Sequence, residues 1–224
     1  MLDPVTTSEG LAVVHLFCGR TPDTDNDAVI SAVKTAQADD VQVVTAAILG
    51  HKAELCFMAL AADGWALRDF QTALVNAGLV VVDSFVSITE LSEYAQGIPE
   101  EMKNMRLYPE LPPEGKNAYC FYPMTKRREA DNNWFTLDFE ERKELMYEHG
   151  TSGRKFAGRI TQLITASTGL DDWEWGVTLF GVKIDDLKDT VYTMRYDTAS
   201  AVYAEFGPFY TGMTGPVEEI VART

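Results

Sequence analysis

Apolar and polar positions follow two different periods along the first hundred residues. Four short runs have the length and the β-branched content of strands: 11–18, 41–49, 53–60 and 79–88. Between them, residues 24–40 and 64–78 repeat apolar side chains every three to four positions, which is typical of an amphipathic helix. The predicted order of elements in this half is βαββαβ.

The same order returns after a polar connection that carries four prolines, at 99, 109, 112 and 113. Beyond it lie four strand-like runs and two helical segments: strands at 118–124, 159–167, 173–182 and within 200–210, helices at 137–156 and 184–195. We predict an α+β fold in which two ferredoxin-like βαββαβ units, 1–98 and 118–224, are joined by 99–117. Packing their uncovered sheet faces together would form a dimeric α+β barrel-like subunit with a cavity in its core.

Composition places the chain among ordinary globular proteins, with 46% hydrophobic and 24% charged residues in 224. The first ten residues lack the basic and apolar regions of a signal peptide, and no apolar run is long enough to span a bilayer, so a cytoplasmic location without a membrane span is expected. Cys18, Cys56 and Cys120 have neither CxxC spacing nor an even count. They are expected to be small core residues.

Charge is distributed unevenly. The formal net charge is -15 at pH 7, and only four of the nineteen basic residues lie in the first hundred positions. Such an acidic chain is a poor candidate for nucleic-acid binding. The basic residues after position 100 would serve either a small anionic ligand or an ordinary mixed-charge surface.

One histidine stands in an unusual place, on the apolar face of the predicted helix 137–156. A histidine there is commonly a satisfied core side chain. However, Gly150, Gly153 and Gly158 follow His149 closely and would let a large flat ligand approach the backbone. Because imidazole is a common axial ligand of haem iron, both interpretations of His149 stay open at this point.

Several other side chains are candidates for chemistry near such a site. Tyr122 would be a half-buried phenol near a strand end, and Gln162 would place an uncharged amide on one face of a strand. Four residues are candidate contacts for carboxylates: Arg106, Lys126, Arg195 and Ser200.

Two further patterns favour structural interpretations. Trp173 and Trp175 alternate as in a strand, so we interpret them as core or interface anchors rather than a stacking platform. Asp171 and Asp172 look like a metal pair but have no surrounding ligand set in the sequence.

Four segments of the second half resemble a known family: 122–128 (YPMTKRR), 133–158, 168–180 and 194–212. They are similar to the coproheme decarboxylases, the peroxide-dependent branch of the chlorite dismutase family. The resemblance covers nearly all of the second half. The first half agrees in its element order and in the proline-rich connection.

The resemblance implies a function in haem biosynthesis. Such proteins bind iron coproporphyrin III (coproheme) in the C-terminal half and commonly assemble as homopentamers. With hydrogen peroxide they convert two of its propionates to vinyl groups and form haem b, so the porphyrin is both substrate and redox centre. The resemblance makes His149 the axial iron ligand, Tyr122 the residue that becomes a radical, and Lys126 a group that holds a carboxylate or manages protons.

The remaining site residues also come from the resemblance. Gln162 corresponds to a distal glutamine and Met124 belongs to the YPM motif. Arg106, Arg195 and Ser200 correspond to propionate contacts. An acceptor for the other ring N–H of the histidine is expected, and Glu205 is a guess for it.

Three alternatives are weighed against this function. Chlorite dismutation relies in this family on a distal arginine, where this chain has Gln162. A haem carrier or sensor would need His149 and the cations but not Tyr122. A cofactor-free barrel would use His149 only as a core residue. The order in which the propionates react, and whether an upstream iron-inserting enzyme delivers coproheme, stay open.

Overall fold

The computed structural model of the chain describes residues 2–95 and 97–224, and in them nine strands and seven helices. The strands are β1 (Ala12–Gly19), β2 (Gln42–Ile48), β3 (Leu55–Ala61), β4 (Val80–Thr89), β5 (Ala118–Lys126), β6 (Ile160–Ala166), β7 (Trp175–Gly181), β8 (Ala204–Phe206) and β9 (Tyr210–Thr214). The helices are α1 (Asn26–Ala38), α2 (Gly64–Asn76), α3 (Glu100–Leu107), α4 (Phe139–Arg154), α5 (Ile184–Met194), α6 (Thr198–Ala201) and α7 (Val217–Val221).

The strands form one antiparallel sheet that closes on itself. Its order is β7-β6-β4-β1-β3-β2-β9-β5-β8, and the additional pairing of β7 with β5 completes a barrel from which β8 extends. The two units meet at two seams, β2 with β9 and β4 with β6. At the first seam the chain needs a glycine, because a Cβ atom at Gly212 would overlap the carbonyl oxygen of Ala47. The prediction of two ferredoxin-like units that form a barrel is confirmed.

The barrel interior is filled with side chains from both units. Phe17 and Met58 come from the first unit, and Tyr119, Phe121 and Phe180 from the second; all five are at most 1% exposed. Protein interiors are packed at crystal-like density, so such a centre leaves no room for a large ligand. The expected cavity in the barrel core is therefore wrong, and the large cavity lies outside the barrel.

The outer sheet faces of the two units are covered differently. On the first unit, α1, α2 and the C-terminal helix α7, which comes from the second half of the chain, bury their apolar sides against the sheet. In the second, α5 covers only part of the sheet, through Leu187 and its neighbours. Every residue of α4 stays at least partly exposed, even Leu145 and Met146 on its apolar side. A helix of this length that buries none of its residues stands away from the sheet, and the space beneath it is the cavity.

Most predicted elements are present, with differences confined to the connection and the C-terminus. The polar connection contains α3, whose sequence is too polar to give an apolar helical period. In place of the last predicted strand, within 200–210, the structure has the end of the short helix α6, the strand β8 and the first residue of β9, and α7 lies beyond it. The three cysteines are buried and free, as expected. Among the described residues, none of the helices has the length and hydropathy that a membrane crossing requires.

Candidate functional site

A cavity of about 2120 Å³ lies between the outer face of β5–β7 and the helices α3, α4 and α5. Its volume is about twice the upper end of ordinary small-molecule pockets, which span roughly 300–1,000 Å³. The structure brings all eight residues singled out from the sequence to its walls: Arg106, Tyr122, Met124, Lys126, His149, Gln162, Arg195 and Ser200. One cavity therefore collects side chains that are up to 94 positions apart in the sequence.

His149 is held from behind by a buried carboxylate. Its Nδ1 lies 3.0 Å from Oδ2 of Asp197, whose side chain is 1% exposed. The Ser200 hydroxyl is 3.3 Å from the same ring nitrogen, and the Ser200 backbone N–H donates to the other carboxylate oxygen at 2.9 Å. A histidine whose Nδ1 donates to a carboxylate presents Nε2 to a metal, so this is the orientation that a histidine ligand needs.

The hydrogen bonds also fix the charge of Asp197. Burial alone would raise the pKa of this carboxyl, but the bonds from His149 and Ser200 outweigh it and hold the pKa of Asp197 below its ordinary value. Asp197 also caps the N-terminus of α6. It therefore stays a carboxylate that both starts a helix and orients His149.

Tyr122 packs against two phenylalanine rings. The residue is 6% exposed, with the Phe209 ring stacked at 4.5 Å between centroids and the Phe206 ring edge-on at 5.7 Å. Burial is the main cause that raises the pKa of Tyr122 above its ordinary value; the Cys120 side chain adds to this and Arg195 opposes it. The phenol is therefore neutral at physiological pH and keeps the hydrogen that a radical reaction would remove.

Lys126 is the buried cation of the site. Its amino group donates to the carbonyl oxygen of Ala199 at 2.6 Å and lies 4.3 Å from the ring centre of Trp134. Burial lowers the pKa of Lys126 to about 8, against the opposing effect of the Asp197 and Glu174 carboxylates. An amine with a pKa so close to neutrality can exchange protons at physiological pH.

Gln162 and Met124 lie on the outer face of the sheet, on β6 and β5. Strand alternation sends Leu163 into the barrel and leaves Gln162 in the cavity wall. Met124 contributes a flexible apolar surface to the same wall. Their positions follow from the period of two in each strand.

Two exposed arginines line the cavity, one from α5 and one from α3. The Arg195 guanidinium packs on the Phe206 ring, 5.0 Å from its centre, at the end of α5. Arg106, in the last turn of α3, is exposed at the edge of the cavity. Two exposed arginines at the edge of the cavity suit a ligand with several carboxylates.

Sequence reasoning missed the residues that close the mouth. Arg142 of α4 donates to the Tyr94 hydroxyl at 3.0 Å and to the Leu137 carbonyl at 2.7 Å, and it lies 3.6 Å from Glu93. These contacts fasten the segment after β4 over the cavity. No local sequence pattern predicts these contacts, because the hydrogen bond between Arg142 and Tyr94 joins residues 48 positions apart.

Three interpretations from the sequence need correction or refinement. Glu205 is not the partner of His149: β8 turns its side chain outward, where it pairs with Arg127 at 3.6 Å. Trp173 packs against the barrel core, as expected of an anchor, but Trp175 lines the cavity. Asp171 accepts a hydrogen bond from the Val86 backbone N–H at 2.8 Å, which is a structural role.

The cavity fits a large, flat, anionic metal complex. Gly150 and Gly153 have no side chains, so a ligand can come close to the backbone of α4 there. A Cβ atom at either would meet only ordinary contacts, the nearest at 3.5 Å and 3.8 Å. The apolar surface of Val177, Ile164 and Met194 suits an aromatic macrocycle, while the arginines suit its carboxylates. His149 offers the nitrogen ligand that an iron porphyrin requires.

Comparisons with known proteins agree with the fold. The family model for chlorite dismutase matches residues 24–215. A solved structure described as a novel heme-binding protein from Thermus thermophilus is 33% identical and covers 100% of this chain and 98% of that chain, with a TM-score of 0.84. Chlorite dismutase from Candidatus Nitrospira defluvii in complex with imidazole is 20% identical over 97% of this chain and 96% of that chain, with a TM-score of 0.75.

Fold and cavity together define a class: a barrel of two ferredoxin-like units with one large cavity on the outer face of the second. Within that class, the family match and the full-length similarity to the Thermus protein identify the group. The chain belongs to the chlorite dismutase family.

Proposed function

We propose that the protein binds iron coproporphyrin III and, with hydrogen peroxide, converts two of its propionates to vinyl groups, yielding haem b for haem biosynthesis. The observation that carries the proposal is the presence of Tyr122 and Lys126 in the same cavity as the His149–Asp197 pair. A protein that only binds a porphyrin would have no need of the Tyr122 phenol.

The chain would hold its substrate through three kinds of contact. Nε2 of His149 would bind the iron, and Asp197 would keep the imidazole in the correct orientation. Arg195, Arg106 and Ser200 would bind propionates, since guanidinium groups form strong bidentate hydrogen bonds to carboxylates. Gln162 and Met124 would contact the macrocycle or the peroxide side from β6 and β5.

Tyr122 and Lys126 would perform the chemistry on the propionates. When bound, the iron lets peroxide act as a two-electron oxidant. Each propionate loses a hydrogen atom from its β-carbon, then one further electron and carbon dioxide, so one peroxide, reduced to water, accounts for one vinyl group. Tyr122, neutral and buried, would take the hydrogen atom, and Lys126, with a pKa of about 8, would hold the carboxylate or transfer protons.

Specific residues distinguish two other activities from the proposed decarboxylation. Chlorite dismutation in this family is expected to use a distal arginine, and by the resemblance Gln162 would occupy that position in this chain. A haem carrier or sensor is favoured by the description of the Thermus protein as heme-binding. The carrier would need the His149–Asp197 pair and the arginines, but it would be unaffected by loss of the Tyr122 hydroxyl.

The test is to mix the purified protein with iron coproporphyrin III, titrate in hydrogen peroxide, and follow the porphyrin by mass spectrometry. Successive loss of two carboxyl groups, ending at haem b, is the expected result. Binding without loss of mass would support the carrier, and absence of binding would leave a cofactor-free barrel. Oxygen release from added chlorite would support the dismutase.

A pair of variants on β5 sharpens the assignment. Tyr122→Phe removes the phenolic hydrogen and little volume, so coproheme should bind while vinyl formation stops. Tyr119→Phe makes the same change three residues earlier, on the barrel side of the strand, and should leave conversion intact. His149→Ala should shift the absorption spectrum of the bound iron. Normal decarboxylation by Tyr122→Phe would refute the radical role.

We also propose that the chain assembles as a homo-oligomer, a pentamer by its family resemblance. The strand β4 supports this, because its apolar residues Val80, Val82 and Val86 are 50%, 51% and 44% exposed. Light scattering during size-exclusion chromatography should give the mass of five chains. Val82→Glu should lower it, and a monomeric wild-type protein would contradict the proposal.

A further inference from the structure

Two exposed tyrosines form a pair that the proposed function does not use. Tyr192 of α5 is 55% exposed and Tyr196, just beyond the helix, is 71% exposed. Their rings are 5.3 Å apart between centroids, and the Tyr196 hydroxyl donates to the Tyr192 hydroxyl at 2.6 Å. Exposed phenols can hydrogen-bond to water, so a direct bond between two of them is an arrangement that calls for an explanation.

The pair lies behind the candidate iron ligand. Tyr192, Tyr196 and Asp197 line a second cavity of about 380 Å³ on the other side of α4 from the large one. Asp197 follows Tyr196 in the chain and is the carboxylate that accepts the hydrogen bond from His149. A short continuous route of side chain and backbone therefore joins His149 to the tyrosine pair.

We propose that Tyr192 and Tyr196 are the site of an oxidative cross-link, a dityrosine, that forms when the porphyrin-loaded protein meets excess peroxide. The inference rests on the proposed function, because the bound iron is what lets peroxide act as an oxidant. Each phenol loses one electron and one proton. The two rings then join through a carbon–carbon bond between positions ortho to the hydroxyls, and one peroxide is reduced to two water molecules.

The geometry suits both the proton transfer and the coupling. The proton of Tyr196 has an acceptor in the Tyr192 hydroxyl, and the proton of Tyr192 can pass to solvent. Coupling ortho to each hydroxyl leaves the two oxygens on carbons next to the bonded ones, so two rings 5.3 Å apart whose hydroxyls are already neighbours are close to the arrangement of the product. The cross-link would consume surplus oxidising equivalents at the surface, away from Tyr122.

Trypsin gives a sharp assay. It cuts after Lys188 and Arg195, so Tyr192 falls in peptide 189–195 and Tyr196 in peptide 196–223. The coproheme-loaded protein treated with excess peroxide should yield these two peptides joined, lighter by two hydrogen atoms and with dityrosine fluorescence. The protein without porphyrin, treated with the same peroxide, should yield them separate.

Two matched variants identify the residue in the second peptide. Tyr196→Phe should abolish the joined product, whereas Tyr203→Phe, which changes a different tyrosine of the same peptide, should keep it. Separate peptides alongside normal vinyl formation would overturn the cross-link and leave the proposed function standing. A link that survives in Tyr196→Phe, or forms without porphyrin, would also overturn the inference. Absence of vinyl formation would instead count against the proposed function.

Discussion

Asp197→Asn separates the two tasks that the structure gives to one carboxylate. In the native chain, Oδ2 of Asp197 accepts from His149 and Oδ1 accepts from the Ser200 backbone N–H. An asparagine can still cap α6 with its amide oxygen, since asparagine and aspartate are about equally good N-caps. Its NH₂ group cannot accept the proton of His149 Nδ1. The substitution should therefore weaken iron-porphyrin binding without unfolding the helix.

The size of the effect follows from that single bond. Removing the acceptor behind a metal-bound histidine typically costs about 10–100-fold in affinity or activity, which is about 1.4–2.8 kcal/mol of binding free energy. Asp197→Ala would lose the cap as well, at about 1 kcal/mol of folding stability. For a chain of this length that lowers the melting temperature by about 2–4 °C. Asp197→Asn should leave the melting temperature of the porphyrin-free protein close to wild type.

The assay is an absorbance titration with iron coproporphyrin III, paired with thermal unfolding of the porphyrin-free protein. Asp189→Asn is the matched control, because it makes the same change on α5 at a side chain that is 47% exposed and bonded to Lys188. A Kd of Asp197→Asn equal to that of wild type would refute the role of the carboxylate. A large fall in melting temperature would mean that Asp197 acts mainly on folding.

Two further predictions concern stability. Burial lowers the pKa of Lys126 from 10.5 to about 8. Between those two pH values the unfolded chain therefore binds a proton at Lys126 that the folded chain does not. The free energy of unfolding should rise with pH across that window, by about 3 kcal/mol in all. Urea titrations at several pH values should show this rise in the free energy of unfolding for wild type and not for Lys126→Met. Parallel pH profiles of the two proteins would contradict the prediction. Gly212→Ala should strain the seam against Ala47 and cost about 1–3 kcal/mol. The control is Gly19→Ala, whose added Cβ would meet Val82 at an ordinary 3.5 Å, so its melting temperature should stay near that of wild type. If Gly212→Ala melted at the same temperature as wild type, the seam would be able to relax around the added methyl group.

How far the sequence predicts the fold depends on the range of the signal. The strands β1 to β7 and the helices α1, α2, α4 and α5 come from local periods, and the structure places them close to the predicted bounds. The helix α3 carries no apolar period because it packs through little more than Leu107. The interior of the barrel is a long-range property: the pairing of β5 with β7 closes the barrel that Tyr119 and Phe121 fill.

The candidate site divides in the same way. Tyr122, Lys126, His149 and Gln162 lie within motifs that a resemblance can identify. Asp197 was missed although it opens a capping pattern with Ser200, because its partner His149 is 48 positions away on another helix. Glu205 was a wrong candidate for the partner of His149 because the alternation of side chains along β8 turns it outward. The direction of that side chain depends on where the short strand begins.

The alternation of side chains along β5 explains how the wall of a large cavity can be held rigidly. Tyr119 and Phe121 point into the packed barrel, while Tyr122 and Met124 point into the cavity. The same strand therefore anchors the reactive phenol through neighbours that belong to a filled core. Because that core does not include the cavity wall, the second unit can leave its outer face uncovered without losing the barrel. Loading of the cavity and folding of the barrel should then contribute to stability as nearly independent terms.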